Sequence, residues 1–188
     1  MYKLLLLGDS IRLGYREAVA KELEGEFEVW SPDDNCRFAK YTLCHLKGWL
    51  ETWGEVPDVI HWNNGLWDTC VRYKEDGCFV SVEEYVRDML KVLRELKKLT
   101  PHIIFATTTP VHPEKAMQNN DDIDRYNAHI VQILRQEGVI INDLNSLVAT
   151  DIEKYICEDK IHLSQAGVEL CGKAVADSVR ILAKYTDI

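Results

Sequence analysis

The chain has 188 residues, 46% of them apolar and 28% charged, a length that suits one domain over residues 1–188 and leaves two cramped. A formal net charge of −9 argues against a nucleic-acid backbone as partner. No apolar run approaches the roughly 20 residues that cross a bilayer, so no membrane partner is expected.

Six scattered cysteines (Cys36, Cys44, Cys70, Cys78, Cys157, Cys171) form no CxxC pair. They predict reduced thiols in a cytoplasmic protein, with neither metal spacing nor a cofactor signal. Met1-Tyr2-Lys3 and the four leucines after it look superficially like an export signal. The run is too short for one and leads straight into Gly8-Asp9-Ser10.

Leu4-Leu5-Leu6-Leu7 reads as a buried first strand, stopped at Gly8. Tyr15 to Leu23 carries apolar residues at helical spacing, and Gly25 ends it. Phe27–Trp30 is a short second strand, closed by the loop 31–35, and Tyr41–Trp53 is an amphipathic helix. Asp58–Trp62 is the third strand, followed by Asn63-Asn64-Gly65-Leu66-Trp67-Asp68 and a loop to Gly77. Ser81 and Glu84 form a capping box in front of a helix with the apolar stripe Val82, Tyr85, Val86, Met89, Leu93 and Leu96.

Ile103–Ala106 is the fourth strand, opening into a proline-bounded loop. Asp121–Gln136 is a helix and Val139–Ile141 the fifth strand. An irregular stretch from Leu144 to Cys157 precedes a last helix capped by Ser164. Strand and helix alternate throughout, which predicts an α/β fold with a five-stranded parallel sheet and helices on both faces.

In such sheets ligands bind outside the carboxyl ends of the strands, where Ser10 stands. Asp159-Lys160-Ile161-His162 follows the fifth strand, and an acid and a histidine three apart in a loop can sit side by side. The carboxylate would fix the imidazole tautomer, and the imidazole would take the Ser10 proton. A serine after a strand also serves well as a helix N-cap. Asp9 and Asp68 suit structural roles on nearby backbone amides.

From Gly8-Asp9-Ser10 to Asp159-Lys160-Ile161-His162 the sequence resembles the SGNH/GDSL hydrolases, over nearly its whole length. The two end motifs match that family's first and fifth blocks. The resemblance implies a flavodoxin-like, three-layer α/β/α sandwich, with Ser10 as nucleophile, His162 as general base and Asp159 as its orienting acid.

The middle blocks depart from the family pattern. The third block is normally Gly-x-Asn-Asp, whose asparagine amide enters the oxyanion hole; Gly65-Leu66-Trp67-Asp68 has tryptophan at that place. Asn63 or Asn64 can supply the amide instead, and strand parity favours Asn63. The second block normally offers a glycine N–H; Asn35-Cys36-Arg37 lies there, and the Cys36 N–H is the nearest substitute.

The expected oxyanion donors are therefore Ser10, Cys36 and Asn63 or Asn64, with Asp9, Arg37 and Trp67 as candidate substrate contacts. Trp67 could stack on a sugar ring, and Arg37 could hold an anionic group.

The reading is a serine ester hydrolase for a small, polar acyl ester, such as an acylated sugar, working without metal or cofactor. A homodimer is left open. The rival reading is an SGNH-fold binding protein with weak or no catalysis. A flavodoxin-like phosphate or nucleotide binder is disfavoured, because the first loop lacks a glycine run.

Overall fold

The computed structural model describes residues 1–186. Five strands, β1 (Tyr2–Leu7), β2 (Phe27–Trp30), β3 (Val59–Trp62), β4 (Ile103–Ala106) and β5 (Ile140–Asn142), form one sheet in the order β2-β1-β3-β4-β5. Every pairing is parallel.

β1 is central, and its four leucines are inaccessible to solvent on both sides. Leu4 and Leu6 pack into one core, which receives α1 (Ser10–Glu22) and α7 (Gln165–Thr186). Leu5 and Leu7 pack into the other, beneath α2 (Ala39–Trp53), α3 (Val82–Leu96) and α4 (Asn120–Gln136). Successive strand residues face opposite ways, so an unbroken apolar run can feed two helix layers at once. This is the three-layer α/β/α sandwich expected.

The elements differ from expectation at three places. α1 begins at Ser10 rather than near Tyr15. β5 runs one residue later than anticipated, ending on Asn142. The stretch after it contains two short helices, α5 (Leu144–Ala149), capped by Asp143, and α6 (Ile152–Tyr155), capped by Asp151. Helices of six and four residues are too short to show a 3.6-residue period.

The chain winds outward in both directions from β1, so the strand order reverses between β1 and β3. Ligand crevices of doubly wound sheets lie at that reversal, beyond the carboxyl ends of the strands. Ser10 and Asn63 stand there.

Candidate active site

The corner after β1 is shaped by glycine. A Cβ at Gly8 would lie 1.9 Å from Asn63 Oδ1 and 2.8 Å from Arg12 Cβ, so any other residue would displace the Asn63 side chain. Asp9 then caps α1: its side chain accepts from Ile11 N (3.0 Å), and its carbonyl accepts from Leu13 N (3.1 Å). Because Asp9 does the capping, Ser10 keeps its hydroxyl free of the helix end. The N-cap role open to Ser10 belongs to its neighbour.

Asp9 is fully buried, which rules out the substrate contact considered for it. Burial pushes its carboxyl up, against the lowering pull of the Ile11 N–H and the neighbouring Asn63 amide.

Arg12, in the first turn of α1, is also inaccessible to solvent. Its guanidinium donates to Gly8 O (3.0 Å), Pro32 O (2.8 Å) and Asp34 O (2.7 Å), and reaches Ser31 Oγ at 3.2 Å. It thereby ties the corner to the loop after β2. Nothing in the sequence pattern marked this residue, since an arginine in a helix reads as a surface charge.

Across the corner lies the Asp159–His162 turn. An antiparallel bridge between Ile156 and Leu163 closes it, with Cys157 N donating to His162 O (2.8 Å). Asp159 Oδ1 accepts from Ile161 N (3.0 Å) and His162 N (2.9 Å), an Asx-type turn that folds the carboxylate back over its own loop. The Cys157 thiol is 3.1 Å from the same oxygen. Oδ2 is left to meet His162 Nδ1 at 2.5 Å.

His162 Nε2 lies 2.9 Å from Ser10 Oγ. Partial burial raises the Asp159 carboxyl, but the bonds from the His162 ring and the two backbone N–H groups outweigh it and hold the acid well below the usual carboxylate range. An ionised carboxylate fixes Nδ1–H and leaves Nε2 as the acceptor facing the hydroxyl. That connectivity lets an imidazole take a serine proton.

The other expected donors are placed differently. Cys36 N donates to Gly8 O (3.1 Å), so the N–H proposed for the oxyanion is spent within the protein. Asn64 is also spent: its Oδ1 accepts from Trp62 Nε1 (2.7 Å), and its Nδ2 donates to Arg37 O (2.8 Å). It staples β3 to the loop after β2 and is fully buried.

Asn63 differs. Its Oδ1 is buried without a partner, against Gly8, and its amide nitrogen neighbours the Asp9 carboxyl rather than bridging to another loop as that of Asn64 does. The Ser10 N–H, at the first position of α1, is one of the donors a helix leaves without an internal partner.

A cleft of about 220 Å³ opens beside Ser10 and His162. Trp67, half-buried, forms part of its wall with Leu66 and Ile161. Arg37 does not line it; its guanidinium lies over the Tyr41 ring (4.6 Å) and 5.9 Å from the Trp67 ring. Asp68 is structural as expected, accepting from Ala39 N at the start of α2 (3.3 Å), and burial pushes its carboxyl up to about 7.

Sequence reasoning missed Arg72 and Lys115, which border the cleft from the loops after β3 and β4. Those loops are joined by Val71 N to Met117 O (2.7 Å) and Gln118 Nε2 to Leu66 O (2.9 Å). The available signal was position: both loops leave carboxyl ends of strands next to the reversal point.

Sheet order, layers and a strand-end serine together give the SGNH hydrolase fold. Solved structures with the same fold include a lipase/acylhydrolase from Enterococcus faecalis, at 18% identity over 95% of both chains with a TM-score of 0.80. An alpha/beta hydrolase from the Lake Arreo metagenome matches at 17% identity over 96% of both chains, TM-score 0.79. An acetylxylan esterase from Geobacillus stearothermophilus matches at 17% identity over 95% of this chain and 94% of its own, TM-score 0.74. No family model matches the sequence, and no curated protein does.

Proposed function

We propose that the protein is a serine ester hydrolase acting on a small, polar acyl ester, with O-acetylated carbohydrate as the first class to test. The observation that carries this is the unbroken hydrogen-bonded line from Asp159 through His162 to Ser10. The neighbours add support: two catalytic mutants of the acetylxylan esterase replace an aspartate and a histidine three positions apart, the spacing of Asp159 and His162.

Ser10 Oγ attacks the ester carbonyl as its proton passes to His162 Nε2. The tetrahedral oxyanion is held by the Ser10 N–H and the Asn63 amide. Collapse releases the alcohol, which takes the proton from His162 and leaves an acyl-serine. Water, deprotonated by His162, then attacks the acyl carbonyl, and the carboxylic acid departs as Ser10 regains its proton. Asp159 stays ionised and holds the imidazolium formed in each half-reaction. Trp67 offers a plane for a sugar ring. A cytoplasmic location goes with this reading, supported by six free cysteines.

A fluorophosphonate probe tests it. Stoichiometric labelling of Ser10, lost in Ser10→Ala, together with hydrolysis of p-nitrophenyl acetate is the expected result. A folded protein that neither labels nor hydrolyses overturns it. One observation favours a second reading, a binding protein with little turnover: the Cys36 N–H is spent on Gly8 O, which leaves one oxyanion donor fewer than expected. Labelling without turnover is its signature.

A further inference from the structure

The cations around the cleft are not used by anything described so far. The chain carries 31 acidic residues against 22 basic ones, so most of its arginines have a carboxylate at hand. Arg16, Arg87, Arg94, Arg125 and Arg180 all form ion pairs. Arg72 and Lys115, both on the cleft wall, form none among the described residues, and neither does Arg37 beside Trp67.

Lys115 is held in place without being neutralised: its Nζ donates to the Asp159 carbonyl at 3.0 Å. In a molecule of net charge −9, a cleft bordered by two cations with no carboxylate partner among the described residues is a local departure from the overall charge balance.

Which part of an ester would meet these charges follows from the side of the site they occupy. Lys115 is bonded to the acid–base turn, and Ile161 and His162 form part of the same cleft. His162 is the group that must protonate the leaving oxygen, so the alcohol portion lies on its side. The acyl carbonyl oxygen belongs on the opposite side, toward Gly8 and Asn63.

Resting on the esterase reading above, we propose that the alcohol portion of the substrate carries an anionic group, a carboxylate or phosphate, that Arg72 and Lys115 receive, with Arg37 reinforcing the same field. An O-acyl ester of an acidic sugar fits this description. Exposed ion pairs are individually weak, so a selectivity of about tenfold is expected from the cluster, concentrated in KM and falling with added salt.

The test compares para-acetoxybenzoate with its neutral isostere para-acetoxybenzamide, and p-nitrophenyl hemisuccinate, whose charge is on the acyl side, with neutral p-nitrophenyl butyrate. The expected result is a kcat/KM ratio of about ten for acetoxybenzoate over acetoxybenzamide, dropping toward one in the double variant Arg72→Gln/Lys115→Gln. The ratio should persist in Arg135→Gln, an arginine on α4 away from the cleft. A ratio near one in the parent protein overturns the proposal while leaving the esterase reading intact. So does a ratio that survives the double variant, or a hemisuccinate-over-butyrate ratio as large as the acetoxybenzoate-over-acetoxybenzamide ratio.

If neither acetoxy ester is hydrolysed, the esterase reading is judged by the fluorophosphonate and p-nitrophenyl acetate assays, and the anion site is judged by binding. Saturation-transfer NMR then compares para-hydroxybenzoate with para-hydroxybenzamide. Charge-selective binding lost in the double variant supports the site, and its absence overturns it.

Discussion

The turn at residues 156–163 and the corner formed by Gly8, Cys36 and Asn63–Asn64 face each other across Ser10, and they are held in shape by opposite means. The turn is local. Its bridge, its Asx-type bonds and the Asp159–His162 contact all lie within eight successive residues. The corner is assembled from three segments brought together by the sheet, with Arg12 and Asn64 as cross-braces. Local geometry follows from a few adjacent residues and so shows in sequence. A braced corner depends on which long-range partner claims each donor, and that is settled only by the fold.

The comparison is broken most severely at the turn. Asp159→Asn keeps the shape but offers His162 a neutral partner that no longer holds one tautomer or stabilises the imidazolium. A drop in kcat of about 10³–10⁴ is expected, measured on p-nitrophenyl acetate, with only a small fall in the unfolding midpoint. Equal losses in activity and stability would mean that the carboxylate serves the turn rather than the chemistry.

Asn63→Ala comes next. Loss of one oxyanion donor is expected to lower kcat by about 10²–10³ with KM little changed. An activity within a few-fold of the parent would remove Asn63 from the oxyanion hole.

Asn64→Ala sharpens the contrast between the two asparagines. It strands Trp62 Nε1 and Arg37 O, both partners of a fully buried amide. The expected cost is about 1–3 kcal/mol in urea unfolding, with kcat per folded molecule far less affected than in Asn63→Ala.

The effect least tied to catalysis concerns Asp68, whose bond to Ala39 N joins the corner to α2. Its carboxyl titrates at about 7 in the folded protein because of burial, against an ordinary value of 3.8. Between those values the folded state holds a proton that the unfolded state has released, so this group lowers stability as pH rises from about 4 to 7. His61 has the opposite sign: burial lowers it from 6.5 to about 3, so it loses stability as pH falls through that interval. Asp68→Asn should therefore gain stability relative to the parent as pH rises from about 5 to 7, read from urea unfolding. Parallel profiles would show that Asp68 does not titrate in this range.

How much of the site could be read in advance follows the same division. The leucine run before Gly8, the capping box at Ser81 and the Asp159–His162 spacing are patterns among neighbours, and each appears where the sequence puts it. The start of α1 was missed because Ile11, Arg12 and Gly14 give no clean apolar period; the cap on Asp9 was the signal available. The Cys36 N–H could be placed near the corner from sequence, but its capture by Gly8 O comes from the pairing of β1 with β2, which local sequence does not encode. Strand alternation separates Asn63 from Asn64 for a concrete reason: Asn64 shares a face with Trp62, and the indole claims it.

Arg12 gives the corner a dynamic character of its own. Its planar fork reaches Gly8 at the mouth of α1 and the carbonyls of Pro32 and Asp34 at once, a reach that the single ammonium of a lysine does not reproduce. Fraying the first turn of α1 therefore means releasing the 31–36 loop in the same event, since either motion alone would leave a buried cation short of acceptors. Opening one segment recruits the other, and the serine rides on a cooperative unit rather than on a helix end free to breathe.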